Sequence, residues 1–110
     1  MIQASLLGEA IENAPMAAFV ADENGRYVAV NRAACAMLGY EREELLTLSV
    51  TDVAQYDEAR AEFEEMTQEG SMTGTTVLTR KDGSTVEFTY LAGATVVAGM
   101  HVFVSVGAVT

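Results

Sequence analysis

The spacing of hydrophobic and polar positions changes along the chain, from a helical period at the N-terminus to a strand-like pattern at the C-terminus. Apolar residues of the first segment recur at helical spacing, at Ile2, Leu6, Ala10 and Ile11. Pro15 disfavours helix at the residue before it. The pattern predicts a short amphipathic helix over residues 1–14, which flanks a main domain at residues 15–110.

Two short strands and a second helix follow. Residues 17–21 and 27–30 are apolar runs of strand length, and Asn24-Gly25 between them has the composition of a tight hairpin turn. Asn31 is well placed to cap a helix over residues 32–38, which Gly39 ends. A β-hairpin that leads directly into a helix is therefore expected.

The second half of the chain separates into an acidic helical stretch and three long strands. Ala59, Phe63 and Met66 lie four and three residues apart, which indicates a helix with one apolar face inside the acid-rich residues 41–69. Val, Thr, Phe and Tyr dominate three later runs, at residues 75–80, 84–97 and 100–109. Short turn sequences separate these runs, so we predict an α+β fold around one five-stranded antiparallel sheet.

Charge and cysteine content narrow the classes of protein. A chain of 110 residues, half of them hydrophobic, is the size of one compact domain. Sixteen acidic residues against six basic ones give a formal net charge of -10, which repels nucleic acids and anionic membranes. No apolar run has the length of a membrane span, and no signal peptide is recognisable. Because Cys35 has no second cysteine to pair with, we expect a cytoplasmic domain.

Candidate chemistry is sparse. With one histidine and one cysteine, the chain lacks side chains for a multi-ligand His/Cys zinc site and for a complete Cys/His/Asp nucleophile set. The carboxylate pairs Glu43/Glu44 and Glu64/Glu65 point about 100° apart on a helix and are typical of a solvated face. We therefore predict no catalytic residue, no metal ligand and no enzymatic activity in this chain.

A succession of short motifs resembles the PAS domain family. The motifs are Phe-Val-Ala-Asp at residues 19–22, Asn-Gly-Arg-Tyr at 24–27, Asn-Arg-Ala-Ala at 31–34, Leu-Gly-Tyr at 38–40, Glu-Glu-Leu-Leu at 43–46 and Arg-Lys-Asp-Gly-Ser at 80–84. Their order and spacing extend from about residue 14 to residue 110. The resemblance implies a PAS fold, whose helices lie on one face of the sheet and enclose a small cavity.

The resemblance also implies which residues line that cavity. The expected lining is Phe19, Ala21, Ala34, Leu46, Val50, Val53, Phe63, Met66, Thr76, Leu78, Phe88, Tyr90, Val102, Val104 and Val106. In the last strand His101, Phe103 and Ser105 are then expected to face outward, since side chains alternate along a strand. This lining is almost wholly apolar, so a closed core and a cavity for a small apolar ligand both remain open.

Flavin and haem are not expected as cofactors. The light-sensing branch of the family carries an adduct-forming cysteine where this chain has Val50, and its flavin-binding amides correspond to Leu78, Phe88 and Val106. Some family members bind haem through a histidine on the helix before the third strand, and residues 55–69 contain none. We therefore predict that no cofactor is bound.

The resemblance implies a sensory and signalling module of a larger bacterial sensor protein of the two-component type, with an attached output domain such as a kinase. We expect the domain to relay its signal by rearranging a homodimer. The dimer is predicted to form through the N-terminal helix and the outer face of the sheet, at Ile2, Leu6, Ile11, Leu91, His101 and Phe103.

The alternative function is that of a cofactor-free dimerisation or protein-interaction module with a closed core. The end at Ala108-Val109-Thr110, where the family often has Asp-Ile-Thr, leaves the coupling to output open.

Overall fold

A computed structural model describes residues 2–54 and 70–110, in which four helices and five strands are present. The elements are α1 Ile2–Glu12, β1 Ala17–Asp22, β2 Tyr27–Val30, α2 Arg32–Leu38, α3 Arg42–Leu45, α4 Val50–Val53, β3 Ser71–Thr79, β4 Thr85–Val97 and β5 Met100–Val109. The strands form one antiparallel sheet in the order β2-β1-β5-β4-β3. This confirms the predicted α+β fold. The helix expected around Phe63 and Met66 lies outside the described residues.

Local capping explains the first half of the fold. The Asp22 carboxylate accepts hydrogen bonds from the backbone N–H groups of Asn24 and Arg26, and Gly25 takes a left-handed φ of 82° in the turn between β1 and β2. Asn31 caps α2, and Gly39 ends it with a φ of 77°. The predicted hairpin and helix are therefore confirmed.

The turn between β3 and β4 holds the C-terminal end of α2. Arg80 Nε donates to the Met37 carbonyl at 3.0 Å, and the Lys81 N–H donates to the Leu38 carbonyl at 2.9 Å. Basic side chains are favourable there because the last carbonyls of a helix are unpaired and partly negative. Lys81 Nζ also lies 2.6 Å from Glu44 Oε2, and this hydrogen bond lowers the pKa of the Glu44 carboxyl.

Strand β3 is longer than the sequence predicts. It begins at Ser71, four residues before the expected start, because Ser71 pairs with Gly93 and Gly74 pairs with Tyr90. Gly74 and the polar residues around it weaken the strand pattern of this segment in the sequence. Pairing with β4 therefore makes residues 71–74 part of the strand, although their own sequence does not predict one.

The orientation of β5 is opposite to the expectation. Phe19 pairs with Ser105 and Ala21 pairs with Phe103, and residues paired across antiparallel strands project to the same face. Phe103 and Ser105 therefore lie on the helix-covered face with the buried Phe19 and Ala21. The predicted inward positions in β5, Val102, Val104 and Val106, lie on the opposite face of the sheet, where Val102 is buried and Val104 and Val106 are half-buried. A strand with apolar residues on both faces does not reveal by alternation which face is covered.

His101, which was also expected on the outer face, lies on the opposite side of the sheet. It pairs with Val96 and projects to the same side of the sheet as Phe103, not to the outer face that holds Leu91. His101 is exposed because it lies near the tip of the β4–β5 hairpin, beyond Val102, the last residue of β5 paired with β1. Of the predicted sheet contribution to a dimer surface, only Leu91 remains on the outer face.

The reversed orientation of β5 makes Gly107 a sensitive position. A Cβ added there would lie 2.9 Å from Phe88 Cζ and would overlap the Thr89 carbonyl oxygen. We expect Gly107→Ala to lower the free energy of unfolding by about 1 to 3 kcal/mol, measured by urea denaturation. Gly93→Ala is the control, since a Cβ at Gly93 meets nothing closer than the Gly70 carbonyl at 3.6 Å. Equal stability of the two variants would contradict the register of β5.

Candidate functional site

The side chain of Asn31 joins α1, β1 and α2 in the protein core. Its Oδ1 accepts hydrogen bonds from the N–H groups of Ala18 and Ala34, at 2.9 and 3.0 Å. Its Nδ2 donates to the carbonyls of Ile11 and Met16, at 2.7 and 2.9 Å. The side chain is only 4% exposed, and all four of its hydrogen-bonding positions are used. The sequence predicts the cap on α2 but not the bonds to Ile11 in α1 and to Met16, because those partners lie 20 and 15 residues away.

A second contact holds the same end of α1. Arg42 NH2 lies 2.6 and 2.8 Å from the two carboxylate oxygens of Glu12, and Arg42 Nε donates to the Val30 carbonyl at 3.3 Å. The bond to Glu12 raises the pKa of the Arg42 guanidinium, which stays charged in any case. Because Val30 ends β2, Arg42 connects α1 to the hairpin. The C-terminal end of α1 is thus fixed to the core by two independent side chains.

The rest of α1 presents apolar side chains to solvent. Leu6 is 60% exposed, and Leu7 and Ile11 are also exposed. The side chain of Ile2, the third predicted contact of this helix beside Leu6 and Ile11, lies outside the described residues. Leu7 is missing from the sequence-based dimer surface, although its exposure matches that of Leu6.

The outer face of the sheet carries a second apolar area. Leu91 is 55% exposed, and Val20, Val104 and Val106 are half-buried beside it. These four residues share one face because Leu91 pairs with Val106 and Val20 pairs with Val104. We call them the outer apolar face. The valines replace Phe103 and His101 as the sheet residues of the predicted contact surface.

The inner wall of the sheet carries an aromatic cluster. The ring centroid of Phe19 lies 5.4 Å from Tyr27 and 5.9 Å from Phe88, and Phe88 lies 6.3 Å from Tyr90. Burial raises the pKa of the Tyr27 hydroxyl, with a smaller contribution from Asp52. The Tyr90 hydroxyl lies 3.2 Å from the Met72 sulfur. The wall is apolar and aromatic, with hydroxyl groups as its polar components.

Most of the predicted lining residues meet in this core. Six of them are buried in one cluster: Phe19, Ala21, Ala34, Val53, Leu78 and Phe88. Three more pack against it: Leu46, Val50 and Tyr90. Thr76 is half-buried on the same face, because its neighbour across the strands is Phe88. Val104 and Val106 are not in the core, and Phe63 and Met66 lie outside the described residues. Whether this core admits a ligand stays a prediction.

Sequence reasoning missed the contribution of β5 to the inner wall. Phe103, Ser105 and Gly107 project inward there, beside the small residues Ala17 and Ala92. The alternation of a small or aromatic residue with valine, from Val102 to Gly107, is the only signal in the sequence that could have suggested this orientation.

The remaining chemical candidates stay isolated. Cys35 is half-buried in α2, and burial raises the pKa of its thiol, which disfavours the reactive thiolate. Among residues 2–54 and 70–110, no three His, Cys, Asp or Glu side chains lie close enough together to hold a metal ion. No helix in this described part of the chain is long and apolar enough to cross a membrane.

The four bonds of Asn31 generate a stability prediction. Asn31→Ala leaves the buried N–H groups of Ala18 and Ala34 without their side-chain acceptor, and we expect a loss of about 1 to 3 kcal/mol in the free energy of unfolding. Amide hydrogen exchange in α1 should become faster, because Ile11 loses its anchor. Asn13→Ala is the control, since exposed Asn13 makes one bond, to the Glu9 carbonyl. Unchanged exchange in α1 would contradict the role of Asn31 as its anchor.

Comparison with known proteins agrees with this architecture. A family model described as the PAS fold matches residues 6–106, whereas none of the curated proteins matches the chain. A PAS domain from a two-component sensor histidine kinase is 23% identical, with a TM-score of 0.88 over 99% of this chain and 97% of that one. The PAS domain of an HTR-like protein from Haloarcula marismortui is also 23% identical, with a TM-score of 0.85 over 99% of this chain and 93% of that one. The PAS domain of nitrogen regulation protein NR(II) from Vibrio parahaemolyticus is 15% identical, with a TM-score of 0.81 over 96% of this chain and 98% of that one. At these identities the structures establish a shared fold, and the family model spans most of the chain, so the chain belongs to the PAS family.

Proposed function

We propose that this PAS domain is the sensory module of a signal-transduction protein and that it relays its signal by rearranging a homodimer. The anchored end of α1 carries this proposal. Asn31 and Arg42 fix Ile11 and Glu12 to the core, while the apolar side chains of the helix remain exposed. A change in the core near β1 or α2 would therefore alter the direction of α1, and with it any contact that α1 makes.

The homodimer is proposed to combine α1 with the outer apolar face. Both surfaces expose large apolar side chains, Leu6 and Leu7 on α1 and Leu91 on the sheet. An isolated helix of eleven residues is marginally stable in water, so α1 gains from packing against a second surface. A two-fold axis would bury both copies of each surface at once.

The setting that we propose for the domain is supported by a structure similar to it. A similar structure belongs to a two-component sensor histidine kinase, and PAS domains of such kinases are typically linked to output domains. We propose that this domain is likewise joined to an output domain such as a kinase, in the cytoplasm of a bacterium. Any catalysis would then reside in the output domain.

The proposed dimer predicts the effect of a charge on α1. Leu6→Glu places a carboxylate in the apolar contact of two copies that already carry a net charge of -10 each, so we expect the dimer to dissociate. Light scattering after size exclusion reports the mass. Ser5→Glu is the matched control, because Ser5 lies on the same helix face as Glu9 and Glu12. A Leu6→Glu variant with the mass of the unmodified protein would refute the role of α1.

A small apolar ligand in the core is a finer proposal, and the lining itself favours it. Small residues on the inner wall, such as Ala21 and Ser105, lie beside the rings of Phe19 and Phe88. A wall of this kind cannot compensate the desolvation of a charged group, so the proposed ligand is neutral, and neither flavin nor haem is proposed. The alternative is a closed core in a module that only aligns its output domain.

A thermal-shift screen separates these two functions. We expect neutral apolar compounds to raise the melting temperature and dicarboxylates to leave it unchanged. Phe88→Ala should lower stability by about 3 to 5 kcal/mol in either case, since Phe88 is 3% exposed, and with a ligand it should also change the size of the shift. Exposed Leu91→Ala is the control and should leave the shift unaltered. Stabilisation by dicarboxylates alone would contradict the apolar ligand, and no shift at all would favour the closed core.

A further inference from the structure

The two edges of the sheet are treated differently by the fold. Edge strand β2 has four residues, and the segment before α4 covers it: Tyr27 N donates to the Leu48 carbonyl at 3.0 Å, and Arg26 bridges to Ser49. Edge strand β3 has nine residues, and within the described part of the chain only β4 hydrogen-bonds to its backbone. The β2 edge is therefore short and covered, whereas the β3 edge is long and has no partner on its outer side among the described residues.

The hydrogen bonds at the two ends of β3 show which of its backbone groups face away from β4. Arg80 N donates to the Ser84 carbonyl, and Ala94 N donates to the Gly70 carbonyl, both at 2.7 Å. Bonded and non-bonded pairs alternate in an antiparallel ladder, so the even-numbered residues of β3 bond to β4. The N–H and C=O groups on the outer edge therefore belong to the odd-numbered residues Ser71, Thr73, Thr75, Val77 and Thr79.

Strand β3 itself lacks the sequence features by which edge strands usually avoid pairing. Residues 71–79 contain no charged residue and no proline, and the β3–β4 register is free of bulges. Four of the five odd-numbered side chains are exposed, with Thr79 half-buried. Long regular edges of this kind are templates for strand addition.

We propose that β3 pairs edge to edge with β3 of a second copy of this chain, antiparallel across a two-fold axis at Thr75. Each five-stranded sheet would then continue into its partner as one ten-stranded sheet. The contact uses the edge of the sheet, so it goes beyond the proposed homodimer, which uses α1 and the outer apolar face. The two contacts do not share residues.

Chemistry along β3 favours a second copy as the occupant. The register centred on Thr75 pairs all nine residues, placing Met72 opposite Leu78 on one face and Thr73 opposite Val77 on the other, which are favourable cross-strand pairs. Charge agrees as well. The contact itself is uncharged, so two copies of net charge -10 can meet at this edge without placing like charges against each other.

Disulfide trapping tests this arrangement. In a Cys35→Ala background, Thr75→Cys places two thiols on Cα atoms about 5.5 Å apart, within disulfide range, and oxidised glutathione should convert most of the protein to a covalent dimer. Thr89→Cys is the matched control, because Thr89 is the β4 partner of Thr75 and lies roughly 14 Å from its copy across three strand spacings. We expect little dimer from it. Adding Leu6→Glu should leave the Thr75→Cys dimer intact, which separates this contact from the one made by α1.

A non-covalent variant provides a second readout. In a Leu6→Glu background, which removes the contact made by α1, Thr75→Pro deletes an N–H that points away from β4. The fold should persist by circular dichroism while the remaining self-association, measured by sedimentation, weakens about tenfold or more. Thr75→Val keeps the N–H and should retain association. Equal cross-linking of the Thr75→Cys and Thr89→Cys variants, or unchanged sedimentation of Thr75→Pro, would overturn the proposal. Two cysteine variants that both stay monomeric would also overturn it and would leave the edge to an extended segment of another protein.

Discussion

A single buried amide holds together the parts of this domain on which the others depend. Asn31 satisfies both its oxygen and its nitrogen with backbone groups of α1, β1, α2 and the residue after Pro15. A buried polar group is tolerated only when its hydrogen bonds are made, so the four bonds are mutually dependent. If one element moves, the amide loses partners that no nearby group replaces. This makes the junction of the N-terminal helix with the sheet well defined, although little of α1 itself is buried.

From that junction the sheet offers three surfaces with different properties. The inner wall is aromatic, and α2, α3 and α4 pack on this side of the sheet with Ala34, Leu45 and Val53 completely buried. The outer face is apolar around Leu91 and lies on the side of the sheet away from those helices. The β3 edge is polar along its backbone and uncharged in its side chains. The three surfaces therefore differ in both polarity and shape, although they belong to one small sheet.

Much of this fold could be predicted from local sequence. The hairpin at Asn24-Gly25, the cap at Asn31 and the end of α2 at Gly39 depend on the backbone preferences of single residues, and the structure confirms them. The face of β5 could not be predicted in the same way. Val102, Val104 and Val106 are as hydrophobic as a core strand requires, and only the pairing of Phe19 with Ser105 decides that they lie on the face of the sheet opposite to Phe19. Six of the expected lining residues are buried together nevertheless, because their own elements each have one clearly apolar face.

The sequence by itself determined the order of elements, the α+β class and the PAS family, since these depend on periodicity, turn residues and motifs that are local in the chain. Tertiary structure alone decided the register of β5, the extension of β3 to Ser71 and the bonds from Asn31 to Ile11 and Met16. The physical reason is that each of these features depends on a partner strand or helix distant in sequence. Alternation along a strand divides its side chains between two faces, whereas pairing with the neighbouring strand determines which of the two faces is buried.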